Sequence, residues 1–202
     1  MQALALEVAP KARTGRLVYA AVVTVLGSLL VAGLAQITIK LRFTPVPITG
    51  QTLGVLLVGA SLGPLLGAFS LLLYIAEGSA GLPFFAGGAS GWHGLFVPSA
   101  RFPSAGYLWG FVLASALVGL LARRGWDRSL RSAIGAMFLG EIVIYAVGVP
   151  WLMKSLGWPV EKTLEAGLYP FVIGDTLKLL IAAGVLPLAW KGLSVLRRRT
   201  GS

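Results

Sequence analysis

The 202-residue sequence contains no cysteine and only one histidine. The absence of cysteine excludes disulfides, thiolate metal sites and thiol nucleophiles, and a single imidazole cannot hold a metal ion alone. Charged residues are also scarce, at 12% against about 25% in soluble domains. Nucleophile elbows, phosphate-binding loops and zinc-protease motifs are missing as well. We therefore expect no bond-making catalysis, no cofactor and no metal, and any ATP-driven work must come from another polypeptide.

The composition of the chain is typical of a membrane protein that crosses the bilayer several times. Hydrophobic residues make up 56% of the chain, and the mean hydropathy is +0.84. The net charge of +10 does not indicate nucleic-acid binding, because the bases flank apolar segments and form no patch interleaved with aromatics. The segment from Leu17 to Ile37 would be roughly 32 Å long as a helix, enough to cross the hydrocarbon core. The bases of the first 16 residues follow an apolar run, the wrong order for a cleaved signal peptide, so this first span is expected to be retained.

The apolar pattern predicts an all-α integral membrane protein with six transmembrane helices and long structured outer loops. Gly63-Pro64 separates two short apolar runs and predicts a tight re-entry, since proline interrupts a helix. Domain boundaries follow: a cytoplasmic segment at 1–16, a six-helix membrane domain at 17–192, for which the charged pair described below suggests substrate binding, and a basic cytoplasmic tail at 193–202. The predicted spans are 17–37, 51–62, 65–80, 107–121, 132–153 and 168–190, and a polar connection is expected at 154–166.

Six spans place both termini on one side of the membrane, and the basic residues indicate which side. Eleven Lys and Arg fall on the side of the termini, five on the other, and Lys178 lies within a span. Cytoplasmic loops carry the excess of positive charge, so both termini are predicted to be cytoplasmic in a cell (plasma) membrane protein. The broken loops at 40–50 and 81–106 then face outside, where they could cover a cavity. The eleven bases are Lys11, Arg13, Arg16, Arg123, Arg124, Arg128, Arg131, Lys191, Arg197, Arg198 and Arg199.

A stripe of small residues recurs every four positions along the first predicted span. Small side chains let a second helix approach closely within the membrane. The stripe is either internal packing or the docking face for a partner subunit, and both alternatives stay open from the sequence. Its members are Ala20, Thr24, Ser28 and Ala32.

The strongest chemical signal is Asp175 and Lys178 in the last apolar segment. Residues three apart on a helix share a face. An ionisable side chain at membrane depth normally faces a cavity or a partner and marks a substrate or ion path. The pair is either a binding site or a structural ion pair that locks helices together.

Several uncharged polar and aromatic residues could complete a cavity around this pair. Gln51 supplies an amide, and Trp92, Tyr107 and Tyr145 supply aromatic surface. A carboxylate accepts N–H donors and a lysine attracts a carboxylate, so the site suits a small ligand with an amide-like end and an anionic end. Glu141, in the middle of a span, is either a proton carrier or a neutral, hydrogen-bonded side chain.

Six segments together resemble the BioY family, the biotin-binding S components of energy-coupling factor (ECF) transporters. The match covers about residues 17–190 in the right order, and its specificity comes from the combination. The resemblance implies a six-helix membrane protein that captures biotin from outside and works with a transmembrane T component and two ABC-type ATPases. The segments are Val46–Gly54, Leu62–Pro64, Gly81–Gly88, Phe102–Tyr107, Tyr145–Trp151 and Pro170–Lys178.

The same resemblance implies roles for individual residues. The family's Gly-Asp-x-x-Lys motif corresponds to Gly174, Asp175 and Lys178, and its Pro-x-x-x-Gln loop to Pro47 and Gln51. Asp175 is then the expected acceptor for the ureido N–H groups of biotin, and Lys178 the expected partner of its carboxylate.

The chain departs from the family pattern in its outer loop. Ala89 follows Gly88 where some members carry Asn, and Leu108 stands where some carry Arg. The loop is also longer than usual and supplies Arg101, which is a candidate replacement cation for the ligand carboxylate.

Two other functions are compatible with the same residues. A stand-alone secondary transporter would use Glu141 or Asp175 as its proton carrier, and its uptake would stop with an uncoupler while ATP remains. A membrane assembly protein held by the small-residue stripe would show no saturable ligand binding.

Overall fold

The computed structural model describes residues 4–10 and 12–200, with the side chains at 6, 8 and 196–200 left out. Lys11 and the side chains of Arg197, Arg198 and Arg199, which enter the predicted charge count, lie outside this description. A short 3-10 helix, Leu4–Val8, precedes the helices α1 (Arg13–Gln36), α2 (Gln51–Ser79), α3 (Ala105–Arg123), α4 (Leu130–Leu156), α5 (Val160–Gly167) and α6 (Val172–Thr200). Between α1 and α2 lie two short strands, β1 (Thr38–Ile39) and β2 (Ile48–Thr49), and a second 3-10 helix spans Ala86–Gly88.

The described chain is all-helical apart from one small hairpin, and five of its helices are long and apolar enough to cross a membrane: α1, α2, α3, α4 and residues 172–195 of α6. The predicted count of six spans depends on how α2 is divided. The helices also extend past the predicted limits at both ends, because α1 already begins at Arg13 and α6 continues through the predicted basic tail to Thr200.

Helix α2 is a hairpin of two arms. Gly63 has φ 82° and ψ 178°, a conformation outside the helical region that glycine adopts without a steric penalty. The side chain of Gln51 donates a hydrogen bond of 2.6 Å to Tyr74 Oη, 23 residues away. A continuous helix would separate these residues by about 34 Å. The chain therefore doubles back at Gly63-Pro64, where the sequence predicts a tight re-entry.

The helices pack closely because glycine lies at their contacts. A Cβ atom at Gly59 would come within 2.6 Å of the Ser115 carbonyl oxygen on α3. One at Gly110 would come within 2.9 Å of the Ile144 carbonyl oxygen on α4. Close backbone approach of this kind is how helices associate in lipid, where apolar burial alone gives little driving force. The α2–α3–α4 layer that results carries the residues of the main cavity.

The segment predicted as a polar connection at 154–166 is instead mostly helical. Helix α4 continues to Leu156, Gly157 ends it in the left-handed conformation, and α5 begins at Val160 after Pro159. Proline fixes its backbone in a conformation suited to the start of a helix. Thr163 and Ala166 are buried, so α5 is an amphipathic helix lying against the rest of the protein. The prediction took its polar residues for a loop and missed this periodicity.

The connection between α3 and α4 is fixed to α6 by a buried acid. Asp127 is fully buried and accepts a hydrogen bond of 2.6 Å from Trp190 Nε1. The Arg128 guanidinium lies 4.4 Å from the centre of the Trp190 ring. Burial raises the pKa of the Asp127 carboxyl above its usual value.

Candidate substrate-binding site

The helix ends opposite the Gly63 turn surround a cavity with about 580 Å³ of empty space, counting part of its open mouth. The walls come from the two loops that flank α2 and from four helices: the start of α2, the start of α3, the second half of α4 and the start of α6. Most of them are apolar or aromatic: Val46, Pro47, Phe85, Ala86, Phe102, Leu108, Phe111, Ile144 and Phe171.

Asp175 is the polar centre of this cavity. It lies in the first turn of α6, where the positive end of the helix dipole favours a carboxylate, and it is only 3% exposed. Oδ1 accepts hydrogen bonds from Thr52 Oγ1 at 3.0 Å and from Lys178 Nζ at 2.8 Å. Oδ2 accepts one from the Tyr145 hydroxyl. The carboxylate therefore receives donors from α2, α4 and its own helix.

This geometry bears on both interpretations of the charged pair, a binding site and an ion pair that locks helices together. Asp175 and Lys178 do form an ion pair, but both residues belong to α6, so the pair itself does not join helices. The bonds that do join helices come from Thr52 and Tyr145. Because both charged residues also line the cavity, the pair lies where a ligand would contact it.

Gln51 and Tyr107 also line the cavity, but their polar atoms bond to the protein. The Gln51 amide donates to Tyr74 Oη and accepts from Thr49 Oγ1 at 2.9 Å. The Tyr107 hydroxyl donates to the Gly167 carbonyl at 2.7 Å, and its ring meets Tyr145 edge to face. Gln51 thus holds the cavity wall in place, and Tyr107 presents its ring.

The predicted outer-loop residues lie further from Asp175. Ala89 and Arg101 line a shallower depression together with Lys40. This depression shares wall residues such as Phe85 and Ser104 with the cavity, so it lies at the cavity mouth.

Two further predicted residues are outside both spaces. Trp92 is 59% exposed and stacks on His93 in a separate surface depression. Gly88 is exposed and ends the short 3-10 helix of the outer loop.

Sequence reasoning missed several cavity residues. Thr52 follows Gln51 directly, yet nothing in a lone threonine distinguishes it until the fold brings α6 beside it. Phe171 adjoins the Gly174–Lys178 segment, and its position at a helix start was the available signal. Phe85 and Phe102 lie within segments that resemble the family, but nothing in those segments marks their rings as walls of the cavity.

The small-residue stripe of α1 divides into two halves. Ser28 and Ala32 are buried within the protein, whereas Ala20 and Thr24 are half-buried. Internal packing accounts for the first half. Partner docking stays a prediction for the second.

Glu141 lies on α4 one turn before Tyr145 and does not line the cavity. It is 8% exposed, and its Oε1 atom has no hydrogen-bond partner among the described residues.

Comparison with known proteins relates the whole chain to one group of transporters. A family model described as the BioY family matches residues 7–195. "Biotin transporter BioY" of Rhodobacter capsulatus is 37% identical over 164 residues, which are 73% of this chain and 84% of that protein. The protein of the same name from Thermotoga maritima is 36% identical, over 79% of this chain and 89% of its own length.

A solved structure shares the fold. The crystal structure of "the S-component for biotin from an ECF-type ABC transporter" superposes with a TM-score of 0.77, covering 90% of this chain and 95% of that one. At 24% sequence identity, this similarity establishes the arrangement of the helices.

Proposed function

This chain belongs to the BioY family, and on that basis we propose that it is the substrate-binding S component of an ECF uptake transporter that captures biotin from outside the cell. It would work with a T component and two ABC-type ATPases, since the sequence supplies no nucleotide-binding motif of its own. Membrane lipid is its other partner.

The observation that carries this proposal is the aromatic cavity with Asp175 and Lys178 at its polar centre. Biotin combines two ureido N–H donors, an apolar thioether ring and a carboxylate tail. The apolar ring suits the phenylalanine walls. The donors suit a carboxylate and the tail suits an ammonium group, so the ligand and the cavity are complementary at each end.

Asp175 has room for the ureido group only if its present partners adjust. A carboxylate offers about four acceptor positions. Three are occupied, by Thr52, Lys178 and Tyr145. One ureido N–H can take the remaining position on Oδ2, and the second must displace Thr52 or Lys178. Displacement of Lys178 would free its ammonium group for the biotin carboxylate.

We further propose six membrane crossings, with the two arms of α2 counted separately. Gln51 and Tyr74 meet at the cavity end, whereas the Gly63 turn contacts Gly119 near the end of α3. Each arm thus runs between the two ends of the molecule. An even number of crossings places both termini together, and the excess of positive charge assigns them to the cytoplasm.

Titration of biotin into the purified chain in detergent, followed by calorimetry, tests the proposal. The parent should bind biotin saturably, and Asp175→Asn should lose on the order of 10- to 150-fold in affinity, the equivalent of one charge-assisted hydrogen bond. Asp127→Asn is the matched control, because it removes a second buried acid at the other end while an amide oxygen can still accept from Trp190. Absence of saturable binding by the folded parent would favour the assembly-protein alternative.

Glu141 supports a second candidate function, a proton-coupled carrier of a small carboxylate-bearing vitamin. Its buried, unpartnered Oε1 is the kind of group that could exchange a proton within a span. Uptake in cells that express the chain together with a T component and two ABC-type ATPases distinguishes the two functions. A proton-coupled carrier loses uptake when an uncoupler is added at constant ATP, and the Glu141→Gln variant abolishes it. An ECF S component retains uptake in both cases.

A further inference from the structure

A second groove lies at the opposite end of the molecule from Asp175. It lies between the start of α1, the Gly63-Pro64 turn of α2 and the end of α3, and holds about 1,290 Å³ of empty space, counting its open side. Biotin recognition does not use any of its residues. Its walls combine several arginines with apolar side chains, and no acid lines it, whereas Asp175 lines the biotin cavity.

Three arginines border this groove: Arg13, Arg16 and Arg123. All three are exposed, and no acid is among the residues that line the groove. The ion pair Asp175–Lys178 lies at the other end of the molecule. Glu7, in the neighbouring 3-10 helix, makes interactions of its own. Three guanidinium groups around one space repel one another unless an anion lies between them.

The rest of the groove wall is apolar. Leu17 of α1 and Leu65 of α2 are 66% and 68% exposed and face the same space as the arginines. Leu62, Pro64 and Leu66 also line the groove, together with Ala20 of the small-residue stripe. An occupant must therefore offer an anionic group to the arginines and a hydrocarbon chain to the leucines, which inorganic phosphate cannot do.

We propose that this groove binds an anionic phospholipid of the cytoplasmic leaflet. The arginines lie at helix ends, level with the predicted membrane surface, and Leu17 lies one residue further into the span. Guanidinium groups bind phosphate oxygens through paired hydrogen bonds, and basic grooves between helices on the cytoplasmic side are suited to lipid headgroups. The phosphodiester lies between the arginines and an acyl chain follows Leu17 and Leu65.

Native mass spectrometry of the detergent-purified chain tests this proposal with phosphatidylglycerol, phosphatidylcholine of the same acyl chains, and inorganic phosphate as probes. The parent should retain one phosphatidylglycerol in preference to phosphatidylcholine. The Arg16→Gln/Arg123→Gln double variant should retain phosphatidylglycerol at least about tenfold more weakly than the parent. Arg124→Gln/Arg131→Gln is the matched control, because it removes two exposed arginines on the same side that do not line the groove. It should change retention only a few-fold.

Equal retention of the two lipids, equal losses in the two double variants, or equally tight binding of inorganic phosphate would each overturn the proposal. So would a groove variant that keeps its lipid but no longer assembles with the T component, since the groove would then be a protein docking site. Biotin binding, measured in parallel, should be the same in all variants. Its loss in the parent would contradict the proposed transport function and leave the lipid result intact.

Discussion

At the scale of single residues, Asp175 and Lys178 are not equivalent halves of an ion pair. Asp175 has three hydrogen-bond donors, two of them from other helices. The Nζ atom of Lys178 has one described partner, the Asp175 carboxylate. Removing the lysine leaves a carboxylate that is still hydrogen-bonded, whereas removing the acid leaves a mostly buried ammonium group without compensation.

This asymmetry predicts different stabilities for the two single variants. Asp175→Asn should lower the free energy of unfolding by about 3–5 kcal/mol, which is typical of breaking a buried pair, and Lys178→Met should lower it by about 1.5–3 kcal/mol. The Asp175→Asn/Lys178→Met double variant should be more stable than the sum of the single losses implies, because neither charge remains. Thermal unfolding of the parent and the three variants in one detergent gives the order of their stabilities. Equal losses for the single variants would mean that Thr52 and Tyr145 do not support the carboxylate. Additive losses for the double variant would mean that the two charges do not stabilise each other.

Lys178 should also set the preference for a free carboxylate. The folded Lys178→Met variant is expected to bind biotin on the order of 10- to 150-fold more weakly than the parent, with a much smaller change for biotin amide. Competition binding with the two ligands gives the ratio, and Lys154→Met serves as a control for the removal of a lysine outside the cavity. If the variant keeps the parent's preference for the acid, the carboxylate lies at the mouth, and Arg101 is the next residue to replace.

The sequence identifies this pair because charge inside an apolar segment stands out. It does not identify Thr52, whose importance arises from the distance between α2 and α6. For the same reason the amide of Gln51 looks available in the sequence, although Tyr74 and Thr49 already occupy it in the fold.

At the scale of elements, the two outer segments 40–50 and 81–106 alternate between buried anchors and exposed residues. The strands β1 and β2 pair Thr38 with Thr49 and close the base of the first segment. Thr44 donates a hydrogen bond of 2.5 Å to the Ala166 carbonyl. In the second segment, Phe85 is buried while Ala89 is exposed. The exposed residues between these anchors form the outer parts of the two segments.

We expect these outer parts to cover the cavity when biotin binds. Leu41→Cys and Ala89→Cys, which border the mouth but not the cavity, should react more slowly with a maleimide in the presence of biotin. The natural chain has no cysteine, so each variant reports a single site. Ser129→Cys, beyond the other end of the helices, should react at the same rate with and without ligand. Unchanged rates at Leu41 and Ala89 would exclude closure of these segments.

Element prediction succeeds where a continuous apolar run meets a strong breaker, as at Gly63-Pro64. It fails for β1 and β2, which are two residues each and carry no periodic signal. It also fails for α5, because its eight residues are too few to show a helical pattern clearly and several of them are polar.

At the scale of the whole molecule, composition alone indicates the membrane class, and the placement of bases predicts the orientation. Packing between helices is not visible in the same way, because a small-residue stripe looks identical whether it faces its own chain or a partner. In the structure Ser28 and Ala32 are buried within the protein, whereas Thr24 is half-buried.

Thr24 is therefore the residue that tests docking of the T component. The Thr24→Trp variant should prevent co-purification with the T component, because a bulky side chain blocks close helix contact, and should leave biotin affinity unchanged. Val22→Trp places the same side chain on the exposed face of α1 and should allow assembly. Parallel loss of assembly and biotin binding in the Thr24 variant would show that the position serves internal packing.

The central claim, that the Asp175 cavity holds biotin, is tested most directly by a structure of the purified chain with biotin bound. We predict the ureido nitrogen atoms within about 3 Å of the Asp175 carboxylate oxygens, the thioether ring against the phenylalanine walls and the carboxylate tail bonded to Lys178. Biotin bound elsewhere, or with no atom within hydrogen-bond distance of Asp175, would contradict it.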